Sequence, residues 1–301
     1  MSASFLGVGW ALMPDVETLA LTAELARAEP DYYEVMPETT WREGPDATLA
    51  PNGFHREFLA LKAATGKPFV AHGVAFSLAG TGPGETARRQ RWLEQLHRDH
   101  AEFDFHWYTD HAGITRPAGQ GVALPLPPPM TLHAARLTRR RLQMMQSVVP
   151  DAGLENAVWA FMTAAPLREP WFLMQAINGP RLHLLLDLHN LYTHAVNFGV
   201  DVDAWLAQID LSRVIEIHLS GGSMAPPHWL PEGPALRLDS HDTSIPEEVF
   251  KLFERVMPLC PNLRGVTLER MEQTATQADV PRLRDELRRI RRMLVLAGRL
   301  S

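Results

Sequence analysis

A (β/α)8 barrel, formed as one domain over residues 1–301, is the fold this sequence predicts. Three observations carry it: short apolar runs bounded by turn residues, amphipathic helical stretches between most of them, and a chain of 301 residues, long enough for eight such pairs. The first run is "FLGVGW" (5–10), followed by the helical "DVETLALTAELARA" (15–28). "DYYEVMPE" (31–38) is the second and "KPFVAHG" (67–73) the third, the latter leading to "ETARRQRWLEQLHRDHAEF" (85–103). The fourth is read as "FDFHW" (103–107), with the helical "LTRRRLQMMQSVV" (137–149) after it. "DAGLEN" (151–156), "LHLLLDLHN" (182–190) and "RVIEIHLSG" (213–221) supply the fifth to seventh runs. The helical "PEEVFKLFERVM" (246–257) then precedes the eighth, "LRGVTLER" (263–270). In the final "RLRDELRRIRRM" region Leu283, Leu287, Ile290 and Leu294 recur at helical spacing, so its arginines read as a solvated face. A doubly wound sheet is the rival arrangement, but its G-x-G-x-x-G phosphate fingerprint is missing. Two long proline-rich stretches, 115–133 and 221–241, follow the fourth and seventh runs, and loops of that length are usually functional.

The totals narrow the class of function. Hydrophobic residues make up 46% and charged ones 21%, as in an ordinary soluble globular protein. A net charge of −6 argues against a bulk nucleic-acid binder. No run approaches the roughly 18 apolar residues of a membrane span, and the N-terminus lacks the basic-then-apolar pattern of a signal peptide. A single cysteine, Cys260 in "VMPLCPNL", allows no disulfide framework and no cysteine-rich metal site within the chain, which fits a reducing cytoplasm. Cys260 reads as a packing residue.

Polar residues fall at the same end of nearly every run. Glu34 and Glu38 close the second, His72 the third, His106 the fourth, and Glu155 with Asn156 the fifth. Asp187, His189 and Asn190 close the sixth, His218 the seventh and Glu269 the eighth, while Asp239 and His241 end the second long loop. The carboxyl ends of all barrel strands surround one mouth, so these residues are expected to converge. Carboxylates and imidazoles crowded there need cations. Mixed His and carboxylate donors suit zinc, manganese or non-haem iron better than magnesium, and the candidates outnumber the ligands of one ion, so two or three metals are expected. His55, His97, His100 and His133 are expected on exposed helices or loops.

The blocks "YYEVMPETTW", "VAHGVAFSL", "GLENAVWAF", "LLLDLHNLYTHAVNFGVD", "VIEIHLSGG", "LDSHDTSIPEEVFKLFERV" and "NLRGVTLER" resemble, in order, the signature blocks of the multinuclear non-haem iron-dependent oxidative enzymes. That family was long catalogued as a domain of unknown function and includes the methanobactin-biosynthesis oxygenase. The resemblance covers nearly the whole chain and implies a xylose-isomerase-like barrel holding two or three irons, in mixed Fe2+ and Fe3+ states, with O2 as co-substrate. It carries metal-ligand roles onto His72, His106, Glu155, Asp187, His218, Asp239, His241 and Glu269. Glu155, Asp187 and His218 are then expected at the reaction itself, and Glu34, Glu38, Asn156 and Asn190 at the substrate. Three departures mark a divergent subgroup. Phe105 precedes the fourth-strand histidine where many members have an acidic residue, His189 stands where many have Asn, and Gly222 where many have His. His189 is therefore a candidate replacement ligand.

Family members act on ribosomally made precursor peptides, often at cysteine, which a soft thiolate ligand makes reasonable. The expected activity is thus iron- and O2-dependent oxidation of a precursor peptide, with room for a partner protein that binds the peptide's leader, and with neither nucleic acid nor membrane as partner. A divalent-metal isomerase or hydrolase on the same barrel is the alternative, its isomerase form weakened because the only lysines, Lys62, Lys67 and Lys251, are not placed at the mouth. A non-catalytic peptide- or metal-binding scaffold is the third reading.

Overall fold

A computed structural model describes residues 4–117, 120–122, 125–226, 228, 233 and 235–300. The strands and helices run β1 (Gly7–Leu12), α1 (Val16–Ala28), β2 (Tyr32–Val35), β3 (Trp41–Glu43), β4 (Leu49–Pro51), α2 (Gly53–Thr65), β5 (Phe69–Gly73), α3 (Glu85–Phe103), β6 (Tyr108–His111) and α4 (Leu132–Gln146). They continue as β7 (Ala152–Glu155), α5 (Arg168–Ala176), β8 (Leu182–Asp187), α6 (Leu188–Phe198), α7 (Val202–Leu206), β9 (Val214–Leu219), α8 (Glu247–Val256), β10 (Gly265–Leu268) and α9 (Val280–Leu296). Eight strands close a barrel in the order β1-β10-β9-β8-β7-β6-β5-β2, the predicted architecture. Their apolar character follows from burial on both faces, as in any parallel sheet covered by helices. Among the described residues no helix is long and apolar enough to cross a membrane.

The chain divides into two compact units, Met1–Tyr32 with Leu185–Ser301, and Tyr33–Leu184. In the second, β2, β5, β6 and β7 pair in parallel, with Tyr33 opposite Phe69, Ala71 opposite Tyr108 and Tyr108 opposite Ala152. An antiparallel hairpin, β3–β4, is inserted after β2 and was not legible as strands of only three residues each. Asn52 fixes the hairpin's exit: its Oδ1 accepts from the Phe54 and His55 amides, capping α2, while its Nδ2 donates to the carbonyls of Thr39 and Trp41.

Two expectations fail in this unit. The fourth strand is not "FDFHW": α3 continues through Phe103, Asp104 ends it in the left-handed region at φ 54°, and the strand begins at Tyr108. Phe103 and Phe105 stack with ring centroids 5.3 Å apart as core packing. His106 is exposed, and its amide donates to the carbonyl of Phe69, the first residue of β5, so it sits at the amino end of the sheet. His55 is the other correction. It is buried on α2, with Nε2 2.6 Å from Glu102 and Nδ1 3.8 Å from Asp99. Burial raises the Asp99 carboxyl to about 6, although it accepts from Trp41 Nε1 at 2.6 Å and Gln95 Nε2 at 2.8 Å.

In the first unit β1 pairs with β10 and β10 with β9, Gly265 lying between Gly7 and Glu216. Gly9 and Gly265 make room for the fully buried Tyr32 ring, which a Cβ at either position would strike. The ring delivers its hydroxyl to Glu216 at 2.9 Å and to Thr267 at 2.7 Å. On α9, Leu283, Leu287, Ile290 and Leu294 are buried, as their spacing predicts. Its outer face carries Arg288 and Arg289, each paired through two nitrogens to Glu29 and Glu247 respectively.

Both long loops are closed at their bases by antiparallel bridges, Ile114 to Leu126 and Met224 to Arg237. Positions 118, 119, 123 and 124 of the first, and 227, 229–232 and 234 of the second, lie outside the described residues.

Gly265→Ala places a methyl 2.7 and 2.9 Å from ring carbons of Tyr32. Overpacking of this kind costs about 1–3 kcal/mol, so urea unfolding should show a lowered midpoint with an unchanged slope.

Candidate metal centre

Strand register brings three donors together within the Tyr33–Leu184 unit. His72 is the penultimate residue of β5, while β6 ends with His111 and β7 with Glu155; Thr109 lies opposite His72, and Glu155 opposite His111. His72 Nδ1 is 2.9 Å from Thr109 Oγ1, and His111 Nδ1 is 3.3 Å from the Gly73 carbonyl oxygen. A carbonyl oxygen only accepts, so His111 Nδ1 carries the hydrogen and Nε2 is free to act as a ligand. Nε2 of His72 and of His111 then lie 3.2 and 3.0 Å from the same oxygen of Glu155. Their donor atoms all lie within 4.8 Å of one another. Two imidazole lone pairs aimed at one carboxylate repel it unless protons or a cation intervene. With protons alone, burial opposes charge on His111, but Glu155 outweighs it and raises the ring to about 10. Burial likewise opposes charge on Glu155, yet His111 and then His72 hold it below the ordinary carboxylate range. Two histidines and a carboxylate, with His72 and Glu155 buried and His111 partly so, fit a divalent transition-metal ion.

His111 therefore takes the place expected for His106, and Asp110 precedes it. The acidic residue apparently missing before the fourth-strand histidine is present; the departure at Phe105 came from a strand placed too early. Asp110 is buried and accepts from Tyr108 OH at 2.9 Å. Burial first, then the charge of Glu38, pushes its carboxyl well above the ordinary range. Glu38 braces the loop that follows His72, accepting from the amides of Val74 at 2.7 Å and Ala75 at 2.9 Å. Glu34 is buried on β2 and Asn156 is buried directly after Glu155.

The other unit gathers a second group. Asp187 ends β8 and caps α6, its Oδ1 accepting from the Asn190 amide at 2.7 Å, which fixes the carboxylate; Asn190 itself is buried. Donor atoms of Asp187 and His218 come within 4.8 Å. His218 on β9 is fully buried, with Nδ1 3.1 Å from Glu269 and Nε2 3.8 Å from Glu216. His241 Nε2 lies 2.7 Å from Asp239 and 3.8 Å from Glu269. Against the effect of burial, Asp239 and then Glu269 raise His241 to about 10. Its backbone is held in the left-handed region at φ 46°, a costly conformation for a histidine and one that clusters at functional sites. His189 is fully buried, and burial is the main reason its pKa is lowered.

Glu216 and His111 are the residues sequence reading missed. Residues two apart on a strand share a face, so the "EIH" spacing already aimed Glu216 the same way as His218. Thr267 and Tyr32 both donate to its Oε1, at 2.6 and 2.9 Å.

The family model described as RiPP precursor modification enzyme MbnB/TglH/ChrH matches residues 7–295. Similar chains include a UPF0276 protein of Rhizorhabdus wittichii, 31% identical over 225 residues, covering 74% of this chain and 73% of that one. A UPF0276 protein of Shewanella amazonensis is 26% identical over 290 residues, or 95% of this chain and 94% of its own. Among solved structures, a xylose isomerase domain containing protein from Salmonella typhimurium superposes with a TM-score of 0.58 at 14% identity, covering 98% of this chain and 99% of that one. A D-allulose 3-epimerase from Methylomonas sp. gives 0.57 at 16% identity, with 99% and 96% covered. At such identities these two likenesses establish the barrel alone.

His111→Ala should remove about one bound metal ion per chain, as read by elemental analysis after anaerobic loading, whereas His106→Ala should leave the count unchanged. The reverse pattern would restore the earlier strand register.

Proposed function

The chain belongs to the RiPP precursor modification enzyme family MbnB/TglH/ChrH, and from that membership we propose that it is an iron- and O2-dependent enzyme that oxidises a ribosomally synthesised precursor peptide, at cysteine. The observation that supports this most is the His72–His111–Glu155 group, a donor set suited to non-haem iron. His72, His111 and Glu155 would hold one iron, and Asp187, His218 and Glu269, with Asp239 and His241 adjoining, would hold at least one more. Bound there, iron supplies one-electron redox chemistry toward O2, which takes up the electrons the peptide loses. The protein's own residues do the positioning: the Gly73 carbonyl fixes the tautomer of His111, Thr109 orients His72, and the Asn190 amide holds Asp187.

A peptide needs a place to lie. In the Tyr33–Leu184 unit a recess of about 430 Å3 opens between the β3–β4 hairpin and α3, walled by Trp41, Trp92, Arg88 and Arg91, with Glu38 on its border. Aromatic walls with charged groups between them suit an extended, polar peptide segment. A leader-binding partner protein and a cytoplasmic location complete the proposal. The isomerase alternative wants a cationic group beside the metals, and Lys62 is occupied elsewhere, donating to the carbonyls of Glu102 at 3.0 Å and Phe103 at 2.6 Å.

Anaerobically purified protein should contain two or more irons per chain, part of which shift to the ferric state in Mössbauer spectra on exposure to O2. Zinc or manganese alone, even after iron-rich expression, would sink the oxidative reading in favour of a hydrolase or isomerase, and no metal at all would leave a scaffold.

A further inference from the structure

His189, Tyr192 and Asn197 lie along α6, and each engages one segment, the returning leg of the second long loop at 235–241. Asn197 grips the backbone of Arg237 at both ends, Oδ1 accepting from its amide at 2.7 Å and Nδ2 donating to its carbonyl at 2.9 Å. The Arg237 guanidinium lies over the Tyr192 ring, 5.1 Å from its centroid, and its Nε reaches His189 Nε2 at 3.3 Å. His189 Nδ1 in turn faces Asp239 Oδ1 at 3.3 Å.

The chemistry fixes how these bonds run. A guanidinium can only donate, so His189 Nε2 accepts, and its Nδ1 must carry the hydrogen that goes to Asp239. Both ring nitrogens are thereby spent. Gly222 completes the arrangement: a Cβ there would collide with the Leu238 carbonyl oxygen and come within 3.0 and 3.1 Å of the His189 ring. The imidazole of His189 and the returning leg thus occupy the space a side chain at 222 would take.

We infer that His189 is a positioning residue, the clasp through which α6 and Arg237 hold Asp239 in place, and is not itself a metal ligand. The two departures at 189 and 222 are one coupled change. The leg is also tied to the outgoing strand of the loop, Leu238 N donating to Ser223 O at 2.8 Å and Ala225 N to Leu236 O at 2.6 Å. Removing the clasp therefore loosens Asp239 without unfolding the loop's base. The link to metal rests on the reading of Asp239 as a ligand; the clasp itself does not.

The test compares His189→Asn and Arg237→Ala with wild type in two measurements. Iron per chain and iron affinity come from anaerobic loading with chelator competition, and backbone hydrogen exchange is followed at Leu238 and Ser223. Both variants should keep the wild-type number of irons, bind them about 10- to 100-fold more weakly, and exchange faster at Leu238 while β9 amides stay as protected as before. Arg237 is only partly buried, so its truncation keeps the measurement interpretable should His189→Asn fold poorly. Loss of one iron per chain in His189→Asn with none lost in Arg237→Ala would make His189 a ligand and overturn the inference. So would unchanged Leu238 exchange in both variants. If wild type binds no iron, the functional reading fails, and the exchange comparison alone decides the clasp.

Discussion

A carboxylate taken out of water must be met by hydrogen-bond donors or a cation, and that requirement shapes both units of this chain. Glu216 is met by hydroxyls, with Tyr32 and Thr267 donating to the same oxygen. Glu85 is met by Arg88 at 3.0 Å and Arg89 at 2.8 Å. Glu155 and Asp239 are met by imidazoles. The distinction matters because hydroxyls and guanidinium groups can only donate hydrogen bonds to a carboxylate and offer a metal nothing in its place. An imidazole can exchange its proton for a metal ion and offer that ion its lone pair. Glu155 and Asp239 lie at a strand end and in a loop beyond one, whereas the imidazole of His55 meets Glu102 on a helix.

Secondary elements carry the consequence. Asp187 serves at once as the last residue of β8 and the cap of α6, so the side chain that starts the helix is also the one offered as a ligand. His72, His111 and Glu155 owe their meeting to parallel pairing of neighbouring strands, which puts residues of similar rank at one level. Short strands suffice for this. What they cannot do is orient the rings, and the outer contacts supply that: Thr109 holds His72, and the Gly73 carbonyl fixes the tautomer of His111.

Much of this was legible because a parallel strand buried on both faces leaves an apolar run, and the first charged residue after it marks the carboxyl end. "LHLLLDLHN" and "RVIEIHLSG" have that form, and Asp187 and His218 fall where it predicts. The fourth strand broke the rule. Its residues, Tyr108 to His111, are mostly polar because they face a buried cluster, while the apolar "FDFHW" before it belongs to a helix end and its packing. Apolarity alone chose the wrong segment and carried the wrong histidine with it. His55 failed for a related reason: a histidine on an amphipathic helix looks solvent-facing until a partner such as Glu102 on the next helix is known. The hairpin and the clasp of His189 depend on contacts distant in sequence and left no local pattern to read.

Cys260 has its own meaning once oxidation at cysteine is the reading. It is fully buried, its Sγ directed at the Val256 carbonyl oxygen at 3.4 Å, and burial pushes its thiol up to about 12. A catalyst that brings dioxygen to thiols carries with it the hazard of spoiling itself, and thiolate is the form that oxidants attack. Here the chain's one sulfhydryl is kept protonated and out of reach.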